Sequence, residues 1–243
     1  RLTLSKKLFV FGPGYFSNEN PDTQARPLTA LVDGFTFNAG SQGSLITGLF
    51  LTGTVNVQTS NIGIKRNRFD FSGTFIIIGS NQNIIIANNY IQRNISGDII
   101  SMPATATAII KNNVLFGELD VHNSTFQDNI LREGSFTGTN NTVNNNIANG
   151  TQLDGLGSNN QASVDMNNVF SGTGSTDGQW ELKGGSPALG AGAAGGNLGM
   201  YGGGDPYALS GIPSIPAIYF FDAPIQGSTT SGLPVQMKVK AHN

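Results

Sequence analysis

Four residues carry most of the chemical potential of this chain: Asp98, Glu118, Asp120 and His122. They fall in two strings with the same opening, Gly97-Asp-Ile-Ile-Ser and Gly117-Glu-Leu-Asp-Val-His. If the strings lie one above the other as strands, Asp98 and Glu118 are neighbours. Asp120 and His122 then alternate with Glu118 and face outward, and Leu119 and Val121 face the core. Carboxylates so spaced can bind Ca²⁺, or share the work of general acid and base. Asp98, Glu118 and Asp120 are the candidate calcium ligands, and no other cofactor is implied. The plainer reading of the same row is a solvated polar face that keeps a sheet soluble. Lys111, Arg93 and Arg132 lie on nearby repeats but, by their alignment, on a different face.

Two other groups are candidates for binding. Lys65, Arg66 and Arg68 could hold an acidic glycan, although such groups are more often simply solvated. Trp180 and Tyr201 could stack on a sugar ring, yet their place near the end of the repeats favours packing. His122 and His242 are the only histidines and cysteine is absent. This excludes disulfides and thiolate metal sites, and leaves a two-histidine metal site or a Ser-His-Asp triad without its parts. Gly12-Pro-Gly is a turn; it has neither the spacing nor the following helix of a phosphate loop. Charged residues make up 12% of the chain and the net charge is −2, so the basic field that nucleic acid requires is missing. No apolar run is long enough to span a membrane. The 38% of apolar residues recur in register, which is not the pattern of disorder.

Residues 43–172 repeat, and the repeats must position these groups. Asn61-Ile-Gly-Ile-Lys-Arg-Asn67, Asn83-Ile-Ile-Ile-Ala-Asn-Asn89 and Thr107-Ala-Ile-Ile-Lys-Asn-Asn113 are followed by Asn123-Ser-Thr-Phe-Gln-Asp-Asn129 and Asn140-Asn-Thr-Val-Asn-Asn-Asn146. The intervals from Asn67 to Asn89, Asn113, Asn129 and Asn146 are 22, 24, 16 and 17 residues. A recurrence near this length defines a solenoid, whose units cover one another's apolar faces. The units are short, β-branched and bounded by Gly, Asn and Ser, so they are strands. Gly53, Gly73, Gly97, Gly117 and Gly134 open a second column, each followed by a polar and then an apolar residue.

Asn67, Asn89, Asn113, Asn129 and Asn146 are expected to form a structural ladder, each bonded to the amide about 4.8 Å above it. Leu45, Ile64, Ile86, Ile110, Phe126 and Val143 are expected to fill one inward column, with Val164 and the corner Asn167 continuing it. Residues 17–30 read as a loop. Residues 1–204 form the solenoid, and 205–243 a Pro-rich tail. In the tail, Ile215 to Phe221 is expected to lie extended along the solenoid, and Leu233 to Lys240 to form a terminal strand. The opening Arg1-Leu-Thr-Leu reads as already inside a strand, so further residues, a secretion signal among them, are expected upstream.

These strings resemble the right-handed parallel β-helix proteins over most of the chain. Ser186-Pro-Ala-Leu-Gly-Ala-Gly followed by Leu198-Gly-Met-Tyr-Gly is similar to the close of many secreted bacterial members, with Gly190 and Asn197 where those often have Asp. The whole pattern looks most like uncharacterised β-helix proteins of Bacteroidetes-type bacteria. The resemblance implies an all-β, right-handed parallel β-helix with an extended tail, exported to the envelope or medium. In it Leu189, Leu198 and Met200 would cap the last coil. It implies no reaction, because the architecture hosts lyases, hydrolases, adhesins and structural proteins alike. Pectate-lyase-like members set acidic calcium ligands on an outer strand face, but none of their active-site motifs maps here. The expectation is a secreted or cell-surface, non-catalytic β-helix that is structural, adhesive or glycan-contacting. Its expected partners are a polysaccharide, a cell-surface glycan or further copies of itself. The alternative is a polysaccharide lyase or related glycan-active enzyme using the acidic row.

Overall fold

The computed structural model describes residues 1–20, 28–70, 75–93, 97–210, 217–230 and 232–240. Gly73, Ile215 and His242 lie outside the described residues. Three seven-stranded sheets, all parallel, form a β-solenoid. The first sheet comprises Leu2–Leu4, Phe35–Phe37, Val55–Val57, Ile76–Ile78, Asp98–Ser101, Glu118–Asp120 and Phe136–Thr137. The second comprises Phe9–Phe11, Leu45–Thr47, Gly63–Lys65, Ile84–Ala87, Ala108–Lys111, Thr125–Gln127 and Thr142–Asn144. The third comprises Leu31–Val32, Phe50–Leu51, Arg68–Asp70, Tyr90–Gln92, Val114–Phe116, Ile130–Glu133 and Ile147–Ala148.

The repeat produces this stack because each short β-branched strand buries one face and leaves its backbone to bond the coils on either side. Ile64, Ile86, Ile110, Phe126 and Val143 pile into a single file through the second sheet, and all are buried. The residue above Ile64 is Ile46, fully buried, and not the expected Leu45. Gly48 aligns with Arg66 and Leu49 with Asn67, so the inward position three residues back is one residue later than counted.

At the corner between the second and third sheets, paired residues divide two tasks. The first of each pair, from Gly48 and Arg66 to Asn88, Asn112, Asp128, Asn145 and Asn159, has positive φ between 52° and 72°. Asn and Asp tolerate that left-handed turn better than other side chains. The second, at Asn67, Asn89, Asn113, Asn129 and Asn146, is fully buried. Each buried Oδ1 accepts the backbone N–H of the preceding coil, from that of Leu49 through that of Asn129, at 2.9–3.1 Å. Each Nδ2 returns a bond to a core carbonyl, for example Asn113 to Ile86 and Asn129 to Ile110, both at 2.9 Å. The ladder continues to Asn160, which accepts from the Asn146 N–H at 2.9 Å. Asn167 instead sits in a short 3-10 turn capped by Asp165, and Val164 packs outside the interior core. Residues after Ala148 close this end of the stack through bridges from Asn144 to Ser158 and Ile147 to Gln161. Leu153 joins the core there.

The third sheet is buried on both sides except at its first strand, where Leu31 is exposed. Its outer file, Phe50, Tyr90, Val114, Ile130 and Ile147, forms a second apolar cluster with Val169, Phe170, Ala188, Leu198, Met200 and Tyr207. The segment from Val164 to Ser210 is therefore a strap that runs back along the outside of the coils, not a lid on the last one. Leu198 and Met200 are buried under it, whereas Leu189 is exposed. The left-handed corner residues clamp the strap in descending order. Asn145 reaches Ala191, Asp128 reaches Ala193 and Gly199, Asn112 reaches Asn197, and Asn88 reaches Met200 and Gly202. Beyond the strap, Ala217–Asp222 and Gln236–Lys240 pair as an antiparallel hairpin. Ile218, Phe221, Met237 and Val239 are all exposed, so this segment does not pack along the solenoid as expected.

Candidate functional site

Asp98 and Glu118 are register partners on adjacent strands of the first sheet, and Asp120 pairs with Ser101. Leu119 and Val121 are fully buried, which turns Glu118, Asp120 and His122 outward. The acidic row is thus one continuous outer face. A register shift between Asp98 and Ile100 tilts the start of the strand, and positive φ at Gly97 and Gly117 opens it. At Gly134, one coil on, a Cβ would overlap the carbonyl of Gly117; only glycine permits that approach.

The electrostatics of the row are uneven. Partial burial, then the charges of Asp120 and Glu118, push the Asp98 carboxyl above its usual 3.8, and Arg93 opposes them. Arg93 donates from Nη1 to the Asp98 carbonyl oxygen at 3.0 Å, so it belongs to this corner and not to a different face. Lys111 stays on the second sheet and Arg132 on the third. His122 is held at both nitrogens. The Thr139 backbone N–H donates to Nδ1 at 3.2 Å, which leaves the hydrogen on Nε2 for Asp120 Oδ1 at 3.0 Å. Thr139 Oγ1 lies 3.1 Å from the same Nδ1, so both ring nitrogens are engaged within the protein.

Among the described residues no three carboxylate or imidazole groups converge as metal ligands. A calcium ion on Asp98, Glu118 and Asp120 would draw most of its roughly six to eight oxygens from water and backbone. The recesses described elsewhere on the surface are not lined by Asp98, Glu118, Asp120 or His122. Because the Asp98 value is raised by folding, ionisation of this group opposes the folded state above its usual value, and the effect vanishes below it. Asp98→Asn is therefore expected to raise the melting temperature at neutral pH and leave it unchanged in acid, as read by a thermal melt at each pH.

The basic group is split by the corner. Lys65 and Arg66 both pair with Asp205 at the end of the strap. Arg68 is buried on the third sheet, with Nη2 2.6 Å from Asp70 and its guanidinium 5.0–5.3 Å from the rings of Phe16, Phe50 and Tyr90. A cation in such a box is part of the packing. The aromatics are likewise engaged. Trp180 stacks on Tyr90 at 4.9 Å, meets Phe170 edge-on and carries the Arg132 guanidinium at 4.0 Å. Tyr201 donates its hydroxyl to the Asp177 carbonyl at 2.8 Å.

Asp177 is the charged residue that sequence reasoning passed over. It is fully buried and accepts from Ser175 Oγ, the Tyr207 hydroxyl, the Ser210 N–H and Asn20 Nδ2, at 2.7, 2.7, 2.8 and 3.2 Å. Ser210 Oγ accepts the N–H groups of Tyr15 and Phe16, so its hydrogen goes to Tyr207 and that of Tyr207 to Asp177. These donors hold the Asp177 carboxyl below its usual value in spite of burial, which pushes the other way and is the largest single influence. The knot joins the first coil, the strap and the start of the tail. A lone acid in a Gly- and Thr-rich stretch was the only available hint.

Fold and surface together define a three-sheet parallel β-solenoid, sealed along one sheet by its own strap and open on the other two. No family model, curated protein or solved structure matches the chain.

Proposed function

We propose that the chain is a non-catalytic, exported β-helix that acts as a structural or adhesive rod and contacts glycan through its open faces. The observation that carries this reading is the acidic face itself. Its imidazole is hydrogen-bonded to Asp120 and Thr139, and none of the described recesses is built over it, whereas an enzyme on a flat sheet needs a walled groove. Export rests on the sequence resemblance alone. The uninterrupted ladder suits a rod, since each coil is braced by the next.

The test is incubation of the protein with uronic-acid and neutral polymers, with and without calcium. Ultraviolet absorbance of unsaturated ends and reducing-end release would report turnover, and co-sedimentation with insoluble glycan would report contact. No turnover with retention is expected. Turnover that disappears in Asp120→Asn would overturn the reading and establish the lyase alternative. What favours that alternative is the placement of Arg93 beside Asp98, whose carboxyl is pushed above its usual value by burial and by Asp120 and Glu118.

Self-association is a subsidiary proposal, supported by the uncovered apolar side of the terminal hairpin, because a two-stranded hairpin is marginal alone. Light scattering is expected to show mass rising with concentration; a monomer at high concentration would remove the proposal.

A further inference from the structure

The second sheet's outer face carries a recess of about 330 Å³. Its floor is one registered file, Ile85, Ile109, Thr125 and Thr142. Its wall is the corner row of Asn83, Thr107, Asn123 and Asn140, three of which have positive φ. The amides of this wall are ordered along the axis. Asn83 Nδ2 donates to Asn61 Oδ1 and Asn140 Nδ2 to Asn123 Oδ1, each at 3.2 Å. These are two amide pairs outside the core, with Thr107 between them accepting the Asn83 N–H, where the buried ladder inside is unbroken.

We infer that this recess is a subsite for a neutral, linear glycan lying along the solenoid axis, a proposal that rests on the glycan-contacting function above. None of the lining side chains is charged, so an ionic ligand finds no counter-charge within it. Ile109 is exposed at 44% and, with Ile85, offers an apolar strip to the C–H face of a sugar ring. Thr125 and Thr142, which continue the strip, and the Asn and Thr groups of the wall beside it can exchange hydrogen bonds with hydroxyls, the mix that small-molecule sites use. The groups recur once per coil, about 14 Å over four coils at the strand spacing, and a repeating ligand matches a repeating site. Lys111 lies on the neighbouring file of the same face, outside the lining, and is the residue an acidic chain would seek.

Titration calorimetry with cellohexaose, xylohexaose and hexagalacturonate tests this. The intact protein is expected to bind a neutral hexasaccharide more tightly than the corresponding disaccharide and more tightly than hexagalacturonate. Ile109→Arg is expected to weaken binding at least tenfold, and Lys111→Ala to change it less than twofold. Thr125→Arg serves as a second blocking variant if circular dichroism shows Ile109→Arg misfolded. The proposal is overturned if neither neutral hexasaccharide binds, if both blocking variants bind as the intact protein does, or if hexagalacturonate binds best and Lys111→Ala abolishes it. In any of those cases, retention on another glycan leaves the broader reading standing; retention on none removes both.

Discussion

Asp177→Ala is expected to release the strap while the coils stay wound. The substitution leaves the Tyr207 hydroxyl, the Ser210 N–H and the Ser175 hydroxyl without their acceptor in a fully buried place. Each buried donor so stranded costs about 1–3 kcal/mol, and shared networks do not add simply, so a loss on the order of 4 kcal/mol is expected. The loss should be local, because the strap bonds to the coils mainly through side chains, with few backbone bonds such as Gly199 to Asp128, and the coils bond to each other through three sheets. Trp180 is the only tryptophan and lies within the strap cluster. Its fluorescence is expected to change at lower urea than the far-ultraviolet dichroism in the variant, and together with it in the parent protein. Coincident transitions in the variant would show that the strap is not a separate unit.

The same group makes the strap acid-sensitive. Its folded value is depressed below the usual 3.8, so the native state binds fewer protons than the unfolded chain between the two values. Its contribution is therefore full above about 4, and is lost as the pH falls through the folded value. An acid titration followed by Trp180 should show this step in the parent and not in Asp177→Ala.

Asn113→Ala is the second large effect, and here the solenoid itself should weaken. Asn113 Oδ1 accepts from the Asn89 N–H at 2.9 Å and from Asn89 Nδ2 at 3.0 Å. Its Nδ2 donates to the Ile86 carbonyl at 2.9 Å and to Asn129 Oδ1 at 3.0 Å. Alanine strands the Asn89 N–H and one hydrogen of Asn89 Nδ2 and takes a donor from the Ile86 carbonyl, whereas Asn129 Oδ1 keeps the backbone N–H of residue 113; with no water in reach, a loss of about 3–5 kcal/mol is expected. Asn113→Asp should do no better. It restores the acceptor, but a carboxylate has no hydrogens for Ile86 or Asn129, and burial penalises its charge. Asn160, at the half-buried end of the ladder, should cost only about 1 kcal/mol when replaced by Ala. Urea denaturation of the three variants checks the order. Equal losses at Asn113 and Asn160 would mean that the ladder's buried centre carries no special weight.

Much of the fold was legible because the repeat states it several times over. Each inward residue from Ile64 to Val143 and each ladder amide from Asn67 to Asn146 is confirmed by its counterparts one coil away. Where the repeat loosened, the reading slipped. Leu45 was counted from a glycine that is a corner and not a ladder residue. Asn167 fits the repeat better than Asn168 because it sets the apolar Val164 inward, yet the ladder ends at Asn160. The doublets, such as Asn88-Asn89 and Asn112-Asn113, were visible, but their division of labour was not. One member turns the chain and holds the strap, and the other enters the core. The acidic row of Asp98, Glu118 and Asp120 was readable for the same reason as the core, since it obeys the strand alternation.

Arg68, Arg93 and Asp177 mark the boundary of such reasoning. Arg68 stands beside Lys65 and Arg66 in sequence, yet the corner between them sends it under the strap. Arg93 belongs to the acidic corner because the coil closes there. Asp177 binds residues 157 positions before it and 33 after.

By itself, then, the sequence determined what recurs: the coil, its parallel sheets, the buried amide ladder and the outward carboxylates. Periodic side chains meet their own equivalents in the next coil, so a pattern along the chain becomes a pattern in space. Only the tertiary structure decided which faces stay open. The strap, its knot and the sealed third sheet arise from contacts between segments that occur once. A single occurrence leaves no period to read, and which sheet it covers depends on where apolar area and unpaired donors from distant residues come together.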